Sequence, residues 1–290
     1  MTSSRVLSVF LGTTMPALAV AQAPQPQGGP FFHQVLSASS PDGSTFSHDG
    51  VVLLDHASVP AAIALPDGRI RLYYVDASQM PENVNCAESV DAGRSFTVLG
   101  CTVAGRAGTK AVDPSIVRLG DGRFRLYYYA SADDPGAAGI HEIHAAISTD
   151  GIRFQEEGVV FAYPGLVDPD VFWSGREWLM YVFASGQGTV MARSDDGLTF
   201  TYLGPLPLEK WGTTAPLRLA DGRLRLYAFN QAAPNYVGSF LSDDGLTWTQ
   251  EPGVRLAPPE GKQITDPFVV PLPDGSWKMF FKMESQAGRR

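Results

Sequence analysis

The chain has 290 residues, 44% of them hydrophobic, and a formal net charge of −8. That balance argues against a nucleic-acid partner, because phosphate binding needs a basic face and no basic stripe is present. Thirty glycines and 22 prolines, in a sequence that is not low-complexity, imply many tight turns joining many short strands.

In chain order, residues 1–21 read as a signal peptide. Arg5 gives the positive start, an apolar stretch too short to span a bilayer follows, and Ala19-Val20-Ala21 is a small-x-small cleavage site. The mature chain is then expected to begin at Gln22 and to be secreted or periplasmic. Residues 22–30, rich in Pro, Gln and Gly, form a loose leader, and residues 31–286 form a single domain with residues 287–290 as a tail. No later stretch is apolar enough to anchor in a membrane, and a monomer is expected.

Two elements then alternate along the chain. One is Ser-x-Asp-(x)-Gly-x-x-aromatic: SPDGSTF at 40–46, SVDAGRSF at 89–96, STDGIRF at 148–154, SDDGLTF at 194–200 and SDDGLTW at 242–248. The other is a hairpin with an Asp-Gly or Ser-Gly turn before an aromatic strand. Its copies are IALPDGRIRLYYV at 63–75, IVRLGDGRFRLYYY at 116–129, VFWSGREWLMYVF at 171–183, LRLADGRLRLYAF at 217–229 and FVVPLPDGSWKMFFK at 268–282. The hairpin supplies strands A and B of a four-stranded unit, and the Ser-x-Asp turn joins strands C and D. The order is therefore C-D, four complete units, and A-B, which predicts an all-β, five-bladed β-propeller. The N-terminal strands complete the last blade, a closure that removes exposed sheet edges. The two cysteines, Cys86 and Cys101, lie about equally far from the turn at 91–94. Strands folding about that turn would oppose them, so a disulfide is expected in an exported protein.

Strand A lines the channel of a propeller, and the D-to-A and B-to-C loops share one face, so a site is sought there. Aligned on their turns, the A strands begin with Asp113-Pro114, Asp168-Pro169-Asp170 and Asp266-Pro267 in blades two, three and five. Val59-Pro60 and Thr213-Thr214 occupy the same place in blades one and four. Three acids in register point to a site, because like charges brought together are costly unless used. The alternative is that each Asp merely caps a turn. Other candidates at this mouth are Asp55, His56 and Ser58 before blade one, Asp76 and Glu82 in its B-C loop, and Trp211 before blade four. In the run His141-Glu142-Ile143-His144, alternation puts Glu142 and His144 on one side and His141 on the other.

The run from Val112 to Tyr128, Val-Asp-Pro-Ser-Ile-Val-Arg…Asp-Gly-Arg…Leu-Tyr-Tyr, resembles the blades of glycoside hydrolase family 43 and of related five-bladed clans that include invertases and arabinanases. The Ser-x-Asp turns are similar to the Asp-box of sialidase-like propellers, where Ser and Asp bond their own turn and the aromatic packs between sheets. The resemblance implies hydrolysis of a glycosidic bond, with a sugar of arabinose or xylose type as substrate. It implies one Asp as general base, a second tuning pKa, and a Glu as general acid. Asp113, Asp168 and Asp266 match the blade-start acids. No A strand begins with Glu, so Glu142 stands as the candidate acid. Asp170, Thr213, His56, Ser58, Trp211, His141 and His144 are candidate substrate contacts. No cofactor is required, although a structural calcium in the central channel, near His144, is within what the resemblance allows. Acids across a channel mouth would suit an inverting mechanism. The rival readings are a non-catalytic carbohydrate-binding propeller and a sialidase-like exo-glycosidase. The second lacks an arginine cluster on the mouth face, since Arg69, Arg123, Arg176 and Arg223 follow A-B turns.

Overall fold

The computed structural model describes residues 29–106, 110–131 and 139–284. The expected signal peptide, most of the leader and the tail lie outside the described residues.

A short 3-10 helix, Gly29–Phe32, leads into five sheets. Blade one runs Ala57–Ala64, Ile70–Asp76, Asn83–Ser89 and Thr97–Val98 as strands A to D. Blade two has Lys110–Arg118, Phe124–Ser131, Ile140–Ser148 and Arg153–Pro164. Blade three has Leu166–Trp173, Trp178–Ala184, Gly188–Ser194 and Thr201–Pro205, and blade four has Trp211–Arg218, Leu224–Asn230, Val237–Ser242 and Thr249–Gln250. Blade five joins the two ends: Ile264–Pro271 and Trp277–Glu284 are strands A and B, and His33–Ser40 and Ser47–Asp55 are C and D. The closing register pairs His33 with Glu284 and Ser40 with Trp277, so the ring shuts along eight residue pairs.

Blade two departs from the four-stranded unit. Thr102–Ala104, in the link from blade one, lies parallel against its D strand, opposite Arg153, Phe154 and Gln155. The link therefore covers an edge that would otherwise present unpaired backbone groups. The Cys86–Cys101 disulfide fastens the start of this link to strand C of blade one, with Cα atoms 5.3 Å apart. Cys101 sits beyond strand D rather than on it, so the bond ties strand to linker and not strand to strand.

Each Ser-x-Asp turn is held by its own side chains. Ser148 Oγ accepts from the Gly151 N–H at 2.9 Å, and Asp150 Oδ1 accepts from the Ile152 and Arg153 N–H groups at 2.8 Å. The same pattern recurs at Ser194/Asp196 and Ser242/Asp244. The glycine carbonyl that results is used by the preceding blade. Tyr73 Oη donates to Gly151 O, Tyr127 Oη to Gly197 O, Tyr181 Oη to Gly245 O and Tyr227 Oη to Gly43 O. The turn's aromatic packs edge-on against the same ring, as Phe154 does on Tyr73 and Phe200 on Tyr127. At the fifth seam Phe280 replaces the tyrosine and packs against Phe96 without a hydroxyl to donate. The hydrophobic core is thus a series of inter-blade layers, four of them fixed by one buried polar bond.

Candidate active site

The A strands all break register at the same place. Pairing with strand B slips between Ser58 and Ala61, Val112 and Ser115, Val167 and Pro169, Trp211 and Thr214, and Thr265 and Phe268. At four of these bulges the residue before proline has positive φ: Val59 at 46°, Asp113 at 55°, Asp168 at 51° and Asp266 at 49°. A following proline disfavours the right-handed helical region. The left-handed conformation is uncommon for Asp and strained for a β-branched residue such as Val. Thr213, which no proline follows, is not among them. The positive φ therefore comes with the residue-Pro pair, whereas the bulge forms in blade four without one.

Asp113, Asp266 and Asp170 each reach a neighbouring blade. Asp113 Oδ2 faces the Asp168 N–H of the next blade at 3.5 Å. Asp266 Oδ1 accepts from Thr213 Oγ1 of blade four at 2.7 Å, and its Oδ2 accepts from Thr265 Oγ1 at 3.2 Å. Asp170 Oδ2 accepts from Thr214 Oγ1 at 3.1 Å. All of these bonds but the one from Thr265 run between blades.

A cavity of about 520 Å³ opens on this face. Asp113 and Asp168 lie in its wall with Ser58, Val59, Tyr129, His141, Glu82, Lys110, His33 and Lys282. Beneath it the channel narrows to about 20 Å³ between Pro60, Pro114, Pro169 and Pro267, with Asp170, Thr213, Thr214 and Asp266 alongside. That space holds about one water. Asp113 and Ser58 thus face the main cavity, Asp168 borders both spaces, and Asp170, Thr213 and Asp266 belong to the narrow channel.

Lys282 joins the two levels. Its Nζ lies 2.5 Å from Asp266 Oδ2 and also faces the cavity. The sequence reading passed over it. It ends the fifth copy of the hairpin, at a position where the other copies have Val75, Tyr129, Phe183 and Phe229. A lone lysine in a column of apolar residues was the available signal.

The electrostatics divide the carboxyls. Burial pushes Asp113 up to about 6, with the Asp266 charge adding to it. Burial, then the charges of Asp113 and Asp266, hold Asp168 well above the ordinary carboxylate range. Burial likewise raises Asp170. Burial acts on Asp266 too, but the Lys282 ammonium outweighs it and keeps that carboxylate below its usual value. Burial would lower Lys282, and the attraction of Asp266 and Asp168 raises it instead. Near pH 7 the channel therefore holds an ion pair, Asp266 with Lys282, beside Asp168 and Asp170, whose carboxyls retain protons readily, while Asp113 ionises above about pH 6. His33, which bonds Ser58 Oγ at 3.0 Å, is pushed down to about 4 by burial and by Lys282.

Of the remaining candidates, His141 lines the cavity and Glu142, His144, His56 and Trp211 do not. Glu142 is not in the cavity wall; its side chain is 51% exposed and meets His144 Nε2 at 3.3 Å. His144 is buried within the outer half of blade two, 2.5 Å from Glu156 and stacked on Tyr128. His141, on the opposite sheet face, does line the cavity, with Nδ1 2.8 Å from Leu166 O and its ring on Tyr129. Alternation along strand C separates the two sides, and it sends Glu142 away from the site. His56 stacks on Phe31 at 4.0 Å and bonds Phe31 O, anchoring the entry helix. Trp211 packs edge-on against Tyr236 and Phe240 within blade four. Among the described residues no group of three or more His, Cys, Asp or Glu is arranged to hold a metal ion. The cation set among the channel carboxylates is the Lys282 ammonium, so the residues present do not fit the calcium expected there.

No protein-family model matches the sequence, and no curated protein matches it significantly. Solved structures do resemble the fold. An α-L-arabinofuranosidase from Clostridium thermocellum is 19% identical, with a TM-score of 0.59 over 76% of this chain and 80% of that one. An endo-1,4-β-xylanase from Bacteroides thetaiotaomicron is 17% identical, with a TM-score of 0.60 over 80% and 87%. An N-acetylgalactosamine deacetylase from F. plautii is 15% identical, with a TM-score of 0.58 over 81% of each chain. At this identity the likeness establishes a shared architecture: the chain has the five-bladed propeller fold found in glycoside hydrolases of family 43.

Proposed function

We propose that the cavity binds a sugar and hydrolyses its glycosidic bond, with Asp113 and Asp168 as the reacting pair. The observation that carries this reading is two carboxyls in one cavity wall whose environments give them unequal, raised proton affinities. Such a pair is what general acid–base catalysis near neutrality needs. Asp113, ionised above about pH 6, takes a proton from water as its oxygen attacks the anomeric carbon. Asp168, held protonated, gives its proton to the glycosidic oxygen as the carbon–oxygen bond breaks. The sugar leaves with a new hydroxyl, and both carboxyls exchange protons with water to reset. Asp266 and Lys282 act through these two by fixing their ionisation. Direct attack by water corresponds to inversion.

Ser58, His141 and the Glu82–Lys110 ion pair, 2.8 Å apart, offer polar contacts to sugar hydroxyls. The arabinose or xylose type of sugar rests on the resemblance of the blades. Secretion, and a monomer acting on an extracellular glycan, complete the proposal.

The test is cleavage of aryl arabinosides and xylosides and of plant and bacterial glycans by wild type, Asp113→Asn and Asp168→Asn. Wild-type turnover falling by about 10²–10⁴-fold in each variant supports the assignment. Cleavage by the variants at the wild-type rate removes these residues from the mechanism. A folded wild type that binds sugars and cleaves none is the carbohydrate-binding propeller instead.

A further inference from the structure

From the cavity wall a row of rings leads outward at the seam between blades two and three. Tyr129 and His141 stack in its wall, with ring centroids 4.9 Å apart and planes at 15°. In the strand register His141 lies directly opposite Tyr163 of strand D, so all three rings share one sheet face. Tyr163 reaches the cavity's level because this D strand is twelve residues long. The D strands of blades one, three, four and five have two, five, two and nine. Tyr163 then stacks on Tyr202 of blade three at 5.0 Å and 11°. Its hydroxyl bonds Gln187 Oε1 at 3.0 Å, and Gln187 sits in the same turn as Ser185, a cavity residue.

Tyr202 is 43% exposed at the outer end of this row. Its position, two residues after the turn aromatic Phe200, holds Val98, Glu156, Gln250 and His48 in the other blades, so propeller packing does not require a tyrosine there. An exposed ring beside phenol and amide groups suits an amphipathic ligand. Tyr offers it a large rigid contact at low conformational cost.

We propose a second sugar subsite outside the cavity, on the blade-two/three seam, where a further sugar of the glycan rests on Tyr202 and bonds Tyr163 and Gln187. The proposal rests on the cavity binding a sugar, as in the reading above, and adds a subsite to it.

The experiment measures binding of xylo- and arabino-oligosaccharides, from monomer to hexamer, to Asp113→Asn protein with Tyr202 intact, as Tyr202→Ala or as Tyr202→Trp. Affinity is expected to rise with chain length. Tyr202→Ala is expected to weaken the longer chains by about tenfold and leave the monomer unchanged, while Tyr202→Trp retains the gain. Equal binding at every length, or hexamer binding untouched by Tyr202→Ala in a protein of unchanged melting temperature, overturns the proposal. Cleavage by the wild type is scored separately. Length-dependent binding through Tyr202 without cleavage would sink the hydrolase reading and leave the seam subsite standing. If none of these oligosaccharides binds, both fall.

Discussion

Lys282 holds its ammonium 2.5 Å from the carboxylate of Asp266, and both side chains are largely withdrawn from solvent. A buried pair of this kind contributes little net stability against an apolar isostere, but losing one partner strands the other charge. Lys282→Met is therefore expected to cost about 3–5 kcal/mol. The double variant Lys282→Met/Asp266→Asn should recover much of that loss. Denaturant unfolding of the four proteins measures the coupling, and simple additivity of the two single changes would refute it. Because the pair holds Asp266 below its ordinary range, its contribution is present above the unfolded carboxylate's pKa and fades as pH falls through the folded one.

Asp113 behaves in the opposite sense. Its folded pKa is raised to about 6 from the ordinary 3.8, so the native state binds the proton more tightly than the unfolded chain. Ionising it costs the fold stability as pH rises from about 4 to 6, and the full cost remains above that. Asp113→Asn removes this cost. It is expected to stabilise the protein by about 1–3 kcal/mol at pH 8 and to have little effect at pH 3.5. Melting curves at the two pH values decide it, and a destabilisation at pH 8 would return Asp113 to the role of turn cap.

The inter-blade tyrosines allow a repeated test. Tyr73→Phe and Tyr127→Phe keep the rings and leave the Gly151 and Gly197 carbonyls without these donors. Each should destabilise by about 1–3 kcal/mol. Gly197→Ala should add strain, since φ is +73° there and a Cβ would approach Tyr127 Oη to 3.0 Å. If Tyr127→Phe melts with the wild type, the hydroxyl bond contributes nothing to the seam.

The Cys86–Cys101 bond closes a loop with a sequence separation of 15. A loop of that size is expected to give about 3 kcal/mol through restriction of the unfolded chain. Reduction should lower the melting temperature and free the parallel Thr102–Ala104 strand, whose amides should then lose protection from hydrogen exchange. Unchanged exchange at those residues after reduction would show that the strand holds without the bond.

The sequence by itself determined the ring. Five Ser-x-Asp turns and five Asp-Gly or Ser-Gly hairpins set strand number, order and closure, because each is a local signal whose side chains bond their own turn. The same local logic put Asp113, Asp168 and Asp266 in equivalent places and separated Glu142 from His141 by strand alternation. Only the tertiary structure decided which of them meet. Asp113 and Asp168 share the cavity, while Asp266 drops into the channel against Lys282, a residue carried by the opposite strand of its own hairpin. Glu142 and Trp211 meet neighbours within their own blades, and His56 meets Phe31 of the entry helix. A repeat fixes the position of a residue within a blade, whereas the depth of its carboxyl and the charge across the channel arise from how five unequal blades fit around one axis.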